Sequence, residues 1–277
     1  MDTTPDTPTR DTIVLVHGLW MTPLSWEHWV DRFTGRGHRV IAPAWPGMDG
    51  PVEELRRDTS AFARLGVSEI ADHYEAIIRK LDSPPIIMGH SFGGLVTQIL
   101  LDRGLGAAGV AIDSAPIKGI LGLPYSSLRV ASVAVKNPAN RHRAVALSPK
   151  QFHYAFTNNL TAEQSQPLYE RYAVPGPGRP LFQAAFANFN PRAATKVNVH
   201  NDDRAPLLLI AGGKDHTVPV STTRSNFKLQ SKSKAITALR EYPDRSHWTV
   251  AEDGWEEVAD HALAWAIDPS ESARSAG

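Results

Sequence analysis

One short stretch of the sequence carries the residue types of nucleophilic catalysis. Residues 89–93 read GHSFG, and they place Ser91 between the apolar run 86–88 and an apolar helical pattern over 92–103. A serine in a tight strand-to-helix turn needs small neighbours, and such a turn lifts the hydroxyl above the sheet. We therefore predict that Ser91 is a nucleophile rather than an ordinary turn residue.

A serine hydroxyl needs a base before it can attack, and His247 is the predicted base. It lies in the loop between the last predicted strand and the last predicted helix. That loop belongs to the carboxyl edge of a parallel sheet, where Ser91 is also expected and where ligands bind in open α/β sheets. The order serine, acid, histidine along the chain also requires a late histidine.

Asp215 is the predicted acid of this set, because it directly follows the apolar run 206–211. A carboxylate there would hold the imidazole tautomer and stabilise the imidazolium that forms during reaction. Asp113 is the alternative, since it ends the strand pattern 109–112 and so lies at the same edge. Asp202 and Asp203 precede their strand, which places them at the opposite edge.

Two backbone amides are predicted to stabilise an oxyanion. One is the N–H of Phe92, at the start of the helix that follows Ser91. The other comes from the loop after the first strand, where Leu19 is the predicted donor and Trp20 the alternative. His17 is expected to bond the backbone of that loop, and His90 is expected to pack beneath the turn.

The elements that must position these residues alternate between strands and helices. The predicted strands are continuously apolar, which is typical of a mostly parallel sheet covered by helices on both faces. We therefore expect an α/β fold with a doubly wound sheet of about six strands. The last helix is expected to begin near Asp253, with Glu256 as its capping partner. The strand patterns lie at 12–16, 39–43, 86–88, 109–112, 206–211 and 235–239.

Residues 118–204 interrupt the alternation, because they contain no buried-strand pattern and are rich in proline and aromatic residues. A structureless loop of this length is improbable in a compact domain. We predict an inserted, mainly helical cap over 118–204, with residues 1–117 and 205–277 forming the core. Candidate substrate contacts are Trp20, Trp248, His153 and Tyr154, and packing is the alternative role for each.

Composition narrows the function classes. The chain has 277 residues, no cysteine and a formal net charge of zero. Disulfides, thiolate metal sites and a cysteine nucleophile are excluded, and no overall field favours nucleic acid or an acidic membrane. Residues 1–10 lack a signal-peptide core, and no run is long enough to span a membrane. We expect a cytoplasmic protein without nucleic-acid or membrane partners, with a disordered tail over 269–277; the sequence leaves its oligomeric state open.

In their combination and order, these motifs resemble the α/β-hydrolase superfamily. The likeness covers about residues 12–117 and 205–267, through His17-Gly18, the turn 89–93, the loop 212–219 and the loop of His247. It implies the family sheet without its first hairpin, because only about eleven residues precede the first strand. Epoxide hydrolases and haloalkane dehalogenases carry an aspartate where this chain has Ser91. Hydroxynitrile lyases of this fold need a lysine near the histidine, so these three classes are disfavoured.

The resemblance and the residues together imply a cofactor-free serine hydrolase. It is expected to cleave a small-molecule substrate, a small to medium apolar carboxylic ester or lactone, through an acyl-enzyme. One alternative is hydrolysis of a C–C or amide bond by the same three residues, and another is a receptor or scaffold that binds without turnover. A metal-dependent hydrolase is a third alternative, with scattered ligands such as His200 and Asp202; the leading hypothesis needs no metal.

Overall fold

The computed structural model describes residues 11–122 and 124–270, and a parallel sheet of six strands lies at its centre. In chain order its strands are β1 (Thr12–Val16), β2 (Arg39–Ile41), β3 (Ile86–His90), β4 (Ala108–Ile112), β7 (Leu207–Gly212) and β8 (Thr237–Tyr242). They lie side by side in the order β2-β1-β3-β4-β7-β8, and every neighbouring pair is parallel. Two short strands, β5 (Ala144–Val145) and β6 (Gly176–Pro177), pair with each other separately. The predicted α/β fold with about six strands is confirmed.

Ten helices flank or follow these strands in the described part of the chain. They are α1 (Glu27–Thr34), α2 (Val52–Arg57), α3 (Val67–Ile78), α4 (Phe92–Asp102), α5 (Tyr125–Val135), α6 (Pro149–Ala155), α7 (Ala162–Tyr172), α8 (Arg179–Ala185), α9 (Val220–Gln230) and α10 (Trp255–Ile267). Because the side chains of a strand alternate between the two faces of the sheet, β1 contributes to two apolar cores. Ile13 and Leu15 pack with α1 and α10, whereas Val14 and Val16 pack with α3 and α4.

The chain reverses its direction of travel across the sheet between β1 and β3. β2 lies on one side of β1, and β3 lies on the other. Crevices at the carboxyl ends of strands open at such a switch point, since the connections leave it in opposite directions. Val16 pairs with Gly89, so the loop after β1 and the turn at Ser91 lie next to each other.

The segment between β4 and β7, which contains residues 118–204, holds α5 to α8 and the β5–β6 pair. We call residues 118–204 the inserted segment. Its side chains join the same apolar core as α3 and α4, through Val130, Phe152 and Tyr172 among others. Its division from the rest of the chain as a separate domain stays a prediction.

The last helix begins two residues after the expected start near Asp253, and the expected capping by Asp253 and Glu256 is wrong. α10 begins at Trp255 and has no side-chain cap; Gly254 precedes it in the left-handed region with φ 76°. The guanidinium of Arg245 donates to the carbonyls of Asp253 and Gly254, at 2.8 and 2.6 Å, and holds this turn instead. Of the expected disordered tail, residues 271–277 lie outside the described residues.

Candidate active site

Ser91 adopts a backbone conformation that few residues other than glycine adopt. Its φ is 56° and its ψ is −120°. The turn is held from the neighbouring strand, because Ser91 N–H donates to Ile112 O at 2.9 Å and Ser91 O accepts from Ala115 N–H at 2.9 Å. Strained residues of this kind persist only where the surrounding structure holds them, and they cluster at functional sites.

The glycines of the GHSFG stretch are required by close packing. A Cβ atom on Gly89 would lie 2.1 Å from the carbonyl oxygen of Gly93. A Cβ atom on Gly93 would lie 2.0 Å from the carbonyl oxygen of Val16, at the end of β1. Both distances are far inside van der Waals contact, so any side chain at either position would push β1, β3 and α4 apart.

Three side chains from three strand ends meet at this turn. His247 Nε2 lies 3.0 Å from Ser91 Oγ, and His247 Nδ1 lies 2.6 Å from Asp215 Oδ2. All three residues are buried. The structure therefore brings together the predicted nucleophile, base and acid at distances typical of a nucleophile–base–orienter set.

Asp215 is held so that one carboxylate oxygen faces the histidine. Its Oδ1 accepts the backbone N–H groups of Thr217 and Val218, at 2.6 and 2.8 Å. Oδ2 is left for His247 Nδ1. Because a carboxylate is an acceptor only, this bond requires that Nδ1 carry the proton, which leaves the lone pair of Nε2 directed at Ser91 Oγ.

Asp113, the alternative acid, has a different bonding pattern. Its Oδ1 accepts Gly212 N–H at 2.7 Å and thereby joins the ends of β4 and β7. Burial raises the pKa of Asp113 well above its usual value, and the nearby charge of Asp215 adds to this. The hydrogen bond of His247 Nδ1 goes to Asp215, so the geometry favours Asp215 as the acid.

We expect Asp113→Asn to stabilise the protein near pH 8 and to lose this advantage toward pH 4. Because the pKa is raised in the folded state, folded Asp113 keeps a proton that the unfolded chain releases above about pH 4. Its contribution to stability is fully present below that pH and is lost as pH rises toward the folded pKa, by up to about 1.4 kcal/mol per pH unit. Asparagine does not titrate. Urea unfolding of both proteins between pH 4 and 8 measures the effect, and parallel pH profiles would contradict it.

Two further buried histidines support the site through hydrogen bonds to the backbone. His17 Nδ1–H donates to Gly18 O at 2.9 Å, and His17 Nε2 accepts Trp45 N–H at 3.1 Å. Burial lowers the pKa of His17 to about 4, so it is neutral. His90 Nε2–H donates to the backbone carbonyl of His247 at 2.8 Å, and burial lowers its pKa well below the usual value. His90 thus holds the backbone of the predicted base in place. In the sequence, only its position beside Ser91 hinted at this role.

The loop after β1 is the expected second side of an oxyanion site. Trp20 has φ 66°, and its backbone oxygen accepts Val174 N–H at 2.9 Å. Its indole N–H donates to Val145 O, also at 2.9 Å. Phe92 is the first residue of α4, so its N–H has no partner within the helix and faces outward from the helix start. The choice of Leu19 over Trp20 as the partner donor stays a prediction.

A cavity of about 140 Å³ lies against Ser91. Trp20 and Phe92 also contribute to its walls, as does the inserted segment. Its lining is mainly apolar and includes four residues with hydroxyl groups. Among the described residues, no charged side chain lines it. The lining residues are Trp20, Ser91, Phe92, Ala115, Pro116, Ser127, Leu128, Val130, Ala131, Val135, Leu181, Ala184, Ala185, Thr217, Val218 and Thr222.

Three of the four predicted substrate contacts lie away from this cavity. Trp248 is buried, and its ring packs against Tyr172 and Phe152. His153 Nε2 bonds to Leu160 O at 2.9 Å inside the inserted segment. Tyr154 lies under the guanidinium of Arg129, 3.9 Å from the ring centroid. For these three the alternative of packing fits the structure, because their partners in the fold already surround them; Trp20 does line the cavity.

One group of residues at the site could not be predicted from any pattern in the sequence. The chain from 154 to 159, at the end of α6, bonds the loop of Asp215 on one side. Thr217 Oγ1 donates to Ala155 O at 2.6 Å, and Asn158 Nδ2 donates to Lys214 O at 2.9 Å. These contacts anchor the loop of Asp215 to the inserted segment.

The same chain bonds the loop of His247. Trp248 N–H donates to Phe156 O at 3.0 Å, and the ring of Phe156 lies 5.0 Å from the His247 ring. Asn159 Nδ2 donates to Glu252 Oε2 at 2.9 Å, and that carboxylate accepts Ser246 Oγ–H at 2.6 Å. The inserted segment therefore helps to position both the predicted acid and the predicted base.

The residues proposed as scattered metal ligands do not lie at this site. His200 and Asp202 are exposed in the loop that precedes β7, at the edge of the sheet opposite to Ser91. Asp202 Oδ1 accepts Lys234 N–H at 2.8 Å. Among the described residues, the group of three or more candidate ligands with atoms within 4.8 Å of one another is His90, Asp113 and His247. In it, His247 is already engaged by Asp215 and Ser91, and His90 by a backbone carbonyl.

A sequence model of the alpha/beta hydrolase family matches residues 13–261, so the chain belongs to this family. It is similar to a monoacylglycerol lipase of Mycolicibacterium smegmatis, with 26% identity over 275 residues, 95% of this chain and 90% of the relative. These findings identify a hydrolase of the esterase or lipase type.

Solved structures show the same fold at lower identity. The monoacylglycerol lipase of Paleococcus ferrophilus superposes with a TM-score of 0.65 and 20% identity, covering 95% of this chain and 96% of that one. A pyrethroid hydrolase from Sphingobium faniae has a TM-score of 0.64 and 19% identity, covering 94% and 98%. Polyneuridine aldehyde esterase has a TM-score of 0.62 and 16% identity, covering 92% and 98%.

Within residues 11–122 and 124–270, none of the helices combines the length and apolarity needed to cross a membrane. A cytoplasmic location stays an expectation.

Proposed function

We propose that this protein is a cofactor-independent serine hydrolase that cleaves a small to medium apolar carboxylic ester or lactone. The observation that carries the proposal is the chain of contacts from Ser91 Oγ to His247 Nε2 and from His247 Nδ1 to Asp215 Oδ2, at 3.0 and 2.6 Å. The family membership and the lipase and esterase relatives support the reaction class.

The proposed reaction begins with attack of Ser91 Oγ on the ester carbonyl carbon. His247 Nε2 takes the hydroxyl proton, and Asp215 stabilises the imidazolium. The amides of Leu19 and Phe92 stabilise the oxyanion. When the C–O bond to the alcohol breaks, His247 returns the proton to the leaving oxygen. Water, deprotonated by His247, then attacks the acyl-enzyme, and the acid is released as the proton returns to Ser91.

The apolar cavity supports the choice of substrate. Burying the acyl chain of an ester there removes apolar surface from water, whereas the lining offers no charge to pair with an ionic substrate. In this proposal the inserted segment acts as the cap that closes over the cavity, because α5 and α8 supply Leu128, Val130 and Leu181 to its walls.

Turnover of p-nitrophenyl esters from acetate to dodecanoate tests this function. Each added methylene should raise kcat/KM about fourfold, by about 0.8 kcal/mol of burial, until the cavity of about 140 Å³ is filled. Beyond that length the gain should stop. A flat dependence on chain length would contradict binding of the acyl group in this cavity.

The same experiment separates the alternatives. A binding protein without turnover would release at most one equivalent of p-nitrophenol per chain. A C–C bond or amide hydrolase would show slow ester cleavage with no chain-length preference. Activity that survives incubation with a chelator would argue against a loosely bound catalytic metal.

A further inference from the structure

Although the net charge is zero, the inserted segment carries an excess of positive charge and the rest of the chain an excess of negative charge. Residues 118–204 contain eleven lysines and arginines against four aspartates and glutamates, whereas the remainder contains eighteen against twenty-five. The cationic excess is concentrated further. Residues 118–150 and 179–196 together contain nine lysines and arginines and no acidic residue. We call the surface formed by these two stretches the basic cap face.

The basic cap face also carries large exposed apolar side chains. Single exposed apolar residues are ordinary on a protein surface, but a group of them marks an interaction site. Ile267, at 48%, is the only other large apolar side chain this exposed in the part of the chain that the structure describes. The exposed members of the face are Leu121 (77%), Tyr125 (78%), Leu128 (53%), Phe186 (55%) and Phe189 (86%).

The two stretches of the face are joined to each other. Asn188 Oδ1 accepts Gly119 N–H at 2.8 Å, and Asn188 Nδ2 donates to Ile120 O at 2.8 Å. The exposed side chains of Leu121 and Phe189, one position further along in each stretch, therefore lie beside this joint. α5 and α8 also contact each other, so the apolar side chains form one region rather than scattered points.

The cations of the face line a groove beside that region. Arg141, Arg179 and Arg192 border a groove of about 760 Å³, together with Phe186. Arg179 donates to the carboxylate of Glu69. Arg141 and Arg192 form no ion pair with any carboxylate of the described residues. Two guanidinium groups are thus available to anions.

We propose that the basic cap face docks on an anionic lipid surface. Exposed leucine and aromatic side chains insert into the boundary between headgroups and acyl chains, and arginine and lysine attract anionic headgroups. Leu128 belongs both to this face and to the wall of the Ser91 cavity. Docking therefore presents the mouth of that cavity to the lipid; this last consequence alone rests on the proposed function.

The positive charge and the exposed apolar side chains of the basic cap face together favour an anionic lipid surface over other partners. A second copy of the chain would bring two cationic faces together in a twofold contact, which like charges oppose. A nucleic acid would satisfy the cations, but it would leave the exposed leucines and phenylalanines in water. An anionic lipid surface satisfies both.

Co-sedimentation of the full chain with vesicles tests the proposal. Ether-linked lipids, which carry no cleavable ester, are used as phosphatidylcholine alone and with about one third phosphatidylglycerol. We expect binding at least tenfold tighter to the anionic vesicles, weakening as salt rises. Arg141→Gln with Arg192→Gln should weaken that binding about 25-fold, since each surface cation contributes about fivefold. Phe186→Ser with Phe189→Ser should weaken binding to both kinds of vesicle.

The matched control removes the same charge at the opposite edge of the sheet. Arg39→Gln with Lys80→Gln changes exposed residues at the start of β2 and after α3, and it should bind as the wild type does. Equal binding to both kinds of vesicle, wild-type binding by the cap-face variants, or tighter binding to a DNA duplex than to the vesicles would overturn the proposal. Hydrolysis of a soluble p-nitrophenyl ester, measured in parallel, reports on the proposed function separately, so either can fail while the other stands.

Discussion

Ser91→Ala should lower kcat for a p-nitrophenyl ester by about a hundred-thousandfold to a millionfold. Removing the hydroxyl removes the covalent step, and the remaining rate comes from binding and the oxyanion amides alone. The turn should persist in the alanine variant, because it is held by backbone hydrogen bonds: Ser91 N–H donates to Ile112 O, and Ser91 O accepts Ala115 N–H. Steady-state rates combined with a thermal unfolding curve check both halves of this expectation.

The control is Ser127→Ala, which removes another buried hydroxyl from the same cavity. Ser127 Oγ has no hydrogen-bond partner among the residues that the structure describes. This variant should keep its rate within about threefold, because no reacting group depends on that hydroxyl. If both serine variants keep their activity, a nucleophilic role for Ser91 is wrong; if both lose it, the loss reflects damage to the cavity.

Asp215→Asn should lower kcat about ten-thousandfold. An asparagine at this position turns the interaction toward the wrong tautomer of His247, so that Nε2 no longer presents its lone pair to Ser91 Oγ. The fold should tolerate the change, because the side-chain oxygen of asparagine can still accept the N–H groups of Thr217 and Val218. The measurement is kcat on the best ester, with circular dichroism to verify folding.

Asp113→Asn provides the matched comparison, since it changes the other buried aspartate near His247. This variant should keep kcat within about tenfold, because Asp113 bonds Gly212 N–H rather than the imidazole. A reversal of the two results would assign the acid role to Asp113. Comparable losses in both would indicate that the two carboxyl groups act on His247 together.

Local sequence patterns predicted the sheet, the turn at Ser91 and the edge at which the candidate site lies. The apolar runs and the glycines around Ser91 predicted strand, turn and helix, because the close contact at Gly89 is with Gly93, only four positions along the chain. The sheet was predictable because parallel strands buried on both faces must be continuously apolar. Since every loop at the carboxyl end of a parallel strand lies at the same edge of the sheet, the sequence alone placed the loops of Asp215 and His247 beside Ser91.

The sequence by itself thus determined the sheet and the positions at its edge of the three residues proposed to react. Only the tertiary structure decided what surrounds them. The contacts of Phe156 and Asn159 with the histidine loop join residues about ninety positions apart, and no local pattern encodes such a pairing. The same holds for the cavity walls, which do not include Trp248 although it directly follows His247 in the sequence. The lysines and arginines of residues 118–150 and 179–196 likewise form one surface only because α5 packs against α8. Local sterics and burial act between near neighbours in the chain, whereas walls and surfaces depend on which distant segments meet.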